Sequence, residues 1–179
     1  MKGIVFTEFL EMIETKFGYS LVDQLLTETD LPSGGKYTAI GTYNHGEMVT
    51  LVTKLSQHTN IPVPDLLRVY GQYMFVTFTK KYRSLIDRSD SAFSLLHSID
   101  HHIHVEVRKL YPDAELPHFT VEQVSDRQIY MYYTSERKLS DFALGLMDGC
   151  FAHFGEKATI RKTNLVDDGS KVLFDIVKE

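Results

Sequence analysis

Ile103-His104-Val105-Glu106-Val107-Arg108-Lys109-Leu110-Tyr111-Pro112 is the stretch on which the fold turns. Leading into it, Leu96, Ile99, Ile103, Val107 and Leu110 recur every three or four residues. That is the spacing of one apolar helix face, and it predicts a helix from about Ser91 to Leu110. Pro112 ends the run, because its ring lacks an N–H and disfavours helical geometry in the residue before it. Beyond it the period drops to two. His118 to Val124 and Gln128 to Thr134 read as strands about a Ser125-Asp126 turn. Leu139 to Phe154 returns to helical spacing, and Thr159 to Thr163 with Val172 to Ile176 form a second hairpin around Asp167-Asp168-Gly169.

Upstream the chain reads as helical. Val5, Phe9, Leu10, Ile13 and Phe17 mark a first helix that Gly18 interrupts, and Leu21, Val22, Leu25 and Leu26 mark a second. Residues 28–43, with Pro32, Gly34 and Gly35, are the longest irregular segment. Asn44-His45-Gly46-Glu47 has the spacing of a capping box and opens a helix whose apolar face is Met48, Leu51, Val52 and Leu55. Pro64 and Asp65 start another that runs to about Lys80. The expectation is an α+β fold of one domain over residues 1–179, with a helical part over about 1–112 and a sheet-containing part over about 113–179.

A length of 179 residues suffices to bury a sizeable core. A formal charge of −5 argues against a general nucleic-acid binder, which needs surplus Lys and Arg to neutralise phosphates. No apolar run approaches the roughly 20 residues that span a bilayer, and Glu8 comes too early for a secretion signal. Cys150 is the single cysteine, which suits a reducing, cytoplasmic setting and reads as a small buried hydrophobe. No nucleophile–base pair, Walker loop or dinucleotide fingerprint is present, so no enzyme activity is expected. Gly145 and Gly149, four apart, read as a site of close helix packing.

Two constellations carry chemistry. Tyr133-Thr134-Ser135-Glu136-Arg137 places two hydroxyls and a guanidinium at alternate positions, which on an extended segment point the same way. Such a set suits a pair of carboxylates, the guanidinium gripping one of them at two points. About one helix upstream stand His97, His101, His102 and His104. His97, His101 and His104 share a helical arc that could converge on zinc, though one helix seldom closes a tetrahedral site by itself. A single imidazole is the other option, and periodicity alone does not choose His104 over His102. A cofactor that carries two carboxylates and an iron wanting one imidazole is haem, and together the two constellations fit it.

These stretches resemble the H-NOX family, the haem nitric oxide/oxygen-binding module also found at the front of soluble guanylate cyclases. Met1-Lys2-Gly3-Ile4-Val5 is similar to the start of bacterial members, and Ile103 to Pro112 to the segment carrying the iron ligand, with His104 seven residues before Tyr111. Pro117 falls where the family has a proline pressing on the ring. Tyr133-x-Ser135-x-Arg137 matches the family's propionate-binding signature, and Arg137-Lys138-Leu139 and Gly145-Leu146 continue the match over essentially the whole chain.

The resemblance implies haem b between the helical and sheet-containing parts. His104 would be its metal ligand, Tyr133, Ser135 and Arg137 its propionate clamp, and Pro117 and Val5 would crowd the ring. It implies a gas-binding side lined by Val5, Phe9, Met74, Phe78, Phe142 and Leu146. Members that hold oxygen place a tyrosine five residues after the signature Arg, where this chain has Phe142. The expectation is therefore a sensor of nitric oxide, also binding carbon monoxide, that signals to a separate cytoplasmic histidine kinase or cyclic di-guanylate enzyme. An oxygen- or redox-responsive haem sensor and a haem-free interaction module are the other readings.

Overall fold

The computed structural model describes residues 1–179, in two compact units, Met1–Tyr70 and Gly71–Glu179. The first holds α1 (Gly3–Phe17), α2 (Tyr19–Glu28), α3 (His45–Thr59) and the opening turns of α4 (Val63–Lys81). All four helices lie where the periodicity puts them. The buried face of α1, however, is Ile4, Phe6, Phe9, Met12 and Ile13, while Val5 and Leu10 are half-buried and Phe17 is exposed. The irregular segment explains this rotation. Tyr37 stacks on Phe6 at 4.4 Å and Tyr43 meets it edge-on, so the loop covers a neighbouring strip of the helix.

The capping box at Asn44 is half realised. Asn44 accepts from the Gly46 N–H at 2.8 Å. Glu47 does not reach back to complete the box, because its buried carboxylate accepts from Ser33 and, at 2.8 Å, from Tyr37. It ties down the loop in preference to capping the helix. Met48, Leu51, Val52 and Leu55 are all buried, as predicted.

The second unit contains the rest of α4, a one-turn α5 (Arg83–Ile86) that periodicity does not reveal, and α6 (Ala92–Ser98). Then come a π-helical turn (Ile99–Ile103), α7 (His104–Leu110), β1 (His118–Ser125), β2 (Gln128–Thr134), α8 (Ser140–His153), β3 (Ala158–Asn164) and β4 (Lys171–Lys178). The sheet is antiparallel with order β1-β2-β4-β3, so the second hairpin joins the first through β4. Its inner face, Ile129, Met131 and Tyr133 beside Val172, Phe174 and Ile176, is buried with α6 and α8 in one core. Close approach of α4 and α8 depends on glycine. A Cβ at Gly71 would lie 2.2 Å from the Phe142 carbonyl oxygen, and one at Gly149 would lie 2.7 Å from Phe75.

The helix predicted over Ser91 to Leu110 is not continuous. At the π turn the His104 N–H bonds the Ile99 carbonyl five residues back. Such a turn carries one residue more than an α-turn, so everything after it is rotated by about 100° relative to a straight helix. The consequence is direct. His104 is buried where a straight helix would bury Ile103, which is half-buried, and Leu110 at the end of the predicted stripe is 57% exposed.

Candidate functional site

Of the histidines in question only His104 is buried. Burial lowers the pKa of its imidazole, a shift that the nearby Asp100 carboxylate opposes, so the ring is neutral at pH 7. Its Nδ1 is buried without a hydrogen-bond partner and lies 3.6 Å from Asp100 Oδ1, an ion-pair distance beyond hydrogen-bonding range. Asp100 itself is held. Its Oδ1 accepts from the Phe119 N–H at 3.1 Å, and its Oδ2 lies 2.8 Å from His118 Nδ1. The Phe119 ring stands 6.0 Å from the imidazole.

Two of the other histidines have partners elsewhere in the chain. His97 bonds Gln123 on β1 at 2.8 Å, and His102 Nε2 lies 2.8 Å from Arg88. His101 is exposed. No group of three or more His, Cys, Asp or Glu side chains is placed to hold a metal ion, so the three-histidine zinc arrangement is not formed.

Tyr133, Ser135 and Arg137 come together by a different route from simple alternation. Strand β2 ends at Thr134, and the next residues turn. The turn is fixed by the Ser135 N–H on Ser170 O (2.9 Å) and the Lys138 N–H on Ser135 O (3.2 Å), with Lys138 at φ 56°. Tyr133 is 2% exposed, and its hydroxyl accepts from the Leu139 N–H at 3.0 Å. Burial raises its pKa, partly offset by Ser135, the Leu139 N–H and Arg137. Ser135 Oγ accepts from the Arg137 N–H at 3.2 Å.

The Arg137 side chain is 16% exposed and grips Glu115 at two points, the carbonyl at 2.7 Å and the carboxylate at 2.8 Å. That grip secures the segment leading to Pro117, which is half-buried. In the same unit Met74 is fully buried, while Phe78, Phe142 and Leu146 are half-buried. Tyr111 bonds Tyr82 at 3.0 Å. In the first unit Phe9 is fully buried against Tyr70, ring centroids 5.0 Å apart, and the Val5 carbonyl accepts from the Tyr70 hydroxyl.

Three participants escape the sequence reading. Asp100 carried a signal, standing four residues before His104 on the same helical run. Glu115 and His118 carried none, because only the path of residues 111–118 from α7 into β1 brings them to Arg137 and Asp100.

The sequence profile described as Haem-NO-binding matches residues 2–162. Among solved structures, the chain is similar to the unliganded Fe(II) H-NOX protein from K. algicida at 44% identity and TM-score 0.96, covering 100% of this chain and 97% of that one. It is similar to the H-NOX protein from Shewanella woodyi, solved with IWP-051 in the Fe(II)CO state, at 42% identity and TM-score 0.85, with 100% and 95% covered. The H-NOX protein from S. oneidensis in the Fe(II)NO state matches at 29% identity and TM-score 0.93, with 100% and 99% covered. No curated protein matches significantly. With the profile spanning most of the chain and whole-length likeness above 40% identity, this protein belongs to the H-NOX family.

Proposed function

We propose that this chain is a haem-based sensor of nitric oxide, holding haem b through His104 and passing its signal to a separate protein. The observation that carries the reading is the buried, neutral His104 imidazole, whose Nδ1 is buried without a hydrogen bond. A neutral imidazole is the form that ligates metal, and with Nδ1 turned to Asp100 the Nε2 is left to do so. The clamp fits as well. Arg137 already grips a carboxylate, that of Glu115, which stands in for a propionate. The Tyr133 hydroxyl accepts the Leu139 N–H and keeps a proton to donate, and the Ser135 hydroxyl beside it accepts the Arg137 N–H.

Haem, if bound, would be held by His104 and would supply an iron able to take a diatomic gas, with axial-ligand identity and the polarity of the pocket deciding which gas. The residues do the rest. Arg137, Tyr133 and Ser135 fix the ring by its carboxylates, and Pro117 bears on it. Met74, Phe78, Phe142 and Leu146 of the second unit are assigned to the gas-binding side, and none brings a side-chain hydrogen-bond donor. Oxygen held at iron gains about 1.5–3 kcal/mol from a donor, roughly 10- to 150-fold in affinity, which Phe142 withholds. Nitric oxide needs no such help. The relatives solved with nitric oxide and carbon monoxide agree with this ligand class. A cytoplasmic histidine kinase or cyclic di-guanylate enzyme is the proposed recipient.

The ultraviolet–visible spectrum of the ferrous protein tests the reading. A five-coordinate spectrum that persists without an oxygen complex in air, and changes to a five-coordinate nitrosyl with nitric oxide, is expected. Phe142→Tyr should then slow oxygen dissociation. A stable oxygen complex of the unsubstituted protein would overturn the nitric oxide assignment, and a colourless protein from haem-supplied cells would overturn haem binding.

A further inference from the structure

His118 opens β1 with a side chain 65% exposed, yet its Nδ1 lies 2.8 Å from Asp100 Oδ2. The other oxygen of Asp100 accepts from the Phe119 N–H at 3.1 Å and stops 3.6 Å short of His104 Nδ1. Two successive residues of β1 therefore pull on one carboxylate, and the imidazole beyond it is left without a hydrogen bond on its buried Nδ1. His118 Nε2 also lies 3.4 Å from the Thr120 hydroxyl, but its ion pair is with this carboxylate, and an exposed side chain that covers little is not explained by packing.

We propose that His118 is a positioning residue for the His104 imidazole: it holds Asp100 short of hydrogen-bonding distance from Nδ1, so that an iron–imidazole bond stays easy to break. The inference rests on the assignment of His104 as the haem ligand. Its chemistry follows from how outer groups act on a ligating imidazole. A carboxylate that accepts strongly from Nδ1–H gives the ring anionic character and makes it a firmer ligand. A donor on the far oxygen of that carboxylate draws off charge and holds it at a distance, with the opposite effect. Removing the His118 donor leaves Asp100 tethered by Phe119 but with more charge on its oxygens, and free to close the 3.6 Å gap. Both changes strengthen the iron–imidazole bond. His118 touches neither the ligand nor any reacting atom, and acts through Asp100 alone.

The test uses holo-protein carrying His118→Ala or His118→Asn, the amide N–H of Asn standing in for Nδ1–H. The exposure of His118 makes both substitutions mild for folding. Resonance Raman of the ferrous, gas-free protein reads the iron–histidine stretch. An upward shift is expected for His118→Ala and a value near that of the unsubstituted protein for His118→Asn. With nitric oxide, the fraction keeping His104 on iron should rise about tenfold in the Ala variant, the gain expected of a hydrogen bond to a charged group. In an Asp100→Asn background the His118→Ala shift should vanish. No shift, a downward shift, an Asn variant that behaves like Ala, or a shift that survives Asp100→Asn would each overturn the proposal. The 15N shift of His104 Nδ1 in haem-free protein separates the two readings. If His118→Ala moves it but no variant binds haem, the relay stands and the ligand assignment falls. If haem binds normally and His118→Ala moves neither signal, the reverse holds.

Discussion

His104 is the residue on which most depends, and its neighbours give the sharpest controls. A cavity left at the position of the ligand can be filled by free imidazole, so His104→Gly should lose haem and regain it when imidazole is supplied. His101→Ala and His102→Ala remove an exposed side chain and one paired with Arg88, and should keep haem and a five-coordinate ferrous spectrum. Haem loss in His102→Ala with retention in His104→Ala would refute the assignment. Cys150 makes the opposite prediction, of inertness. Burial pushes its thiol pKa up to about 12, the nearby Glu156 adding to the effect. The thiolate is the reactive form, so alkylation of the native protein at pH 8 should be about 10³-fold slower than that of an unfolded thiol. Because the folded pKa is raised, the neutral thiol favours the native state below the ordinary thiol range. That contribution fades as pH climbs from about 8.5 toward 12. An alkylation rate that levels off near pH 9 would contradict it.

At the scale of elements, the turn after β2 and the π turn before α7 do what regular structure does not. The turn makes the proposed clamp a joint between two segments, since Arg137, proposed to hold a haem carboxylate, also holds Glu115. Arg137→Ala should therefore lower haem retention far more than Ser135→Ala, which removes one neutral hydroxyl. Haem transfer to apomyoglobin measures this, and equal rates for the two variants would remove Arg137 from the clamp. The π turn predicts an asymmetry between deletion and insertion. It already contains one residue more than an α-turn, so deleting the exposed His101 should let the segment close to α-helix with His104 still facing inward. Inserting an alanine at the same point adds about 100° of rotation with no slack to absorb it, and should abolish haem binding. A straight helix would suffer equally from both changes.

Across the whole molecule, the core of the second unit is built from the inner face of the sheet and the helices α6 and α8. Phe174 on β4 is fully buried and pairs in register with Met131, itself fully buried. Phe174→Ala should cost about 3–5 kcal/mol in urea unfolding, the range for truncating a buried aromatic. Leu173→Ala, next along the strand and half-buried on the other face, should cost clearly less. Comparable losses at the two positions would mean that the outer face is covered as well. No helix is long and apolar enough to cross a membrane.

Periodicity by itself determined the α+β class, the strands of both hairpins and the long helices, because a helix or strand that buries one face must repeat its apolar residues at 3.6 or 2. It also determined the chemistry on offer: one candidate imidazole run, and two hydroxyls with a guanidinium in five residues. What it left open was position. The burial of His104 rather than its neighbours needed the π turn, whose extra residue has no signature in apolar spacing and is decided by how α6, α7 and β1 settle together. The convergence of Tyr133, Ser135 and Arg137 needed the chain to leave β2 and bond Ser170. Glu115, His118 and Asp100 meet their partners across 22, 18 and 4 residues. Contacts of the first two kinds are set by the path of the backbone in space, which no local spacing encodes.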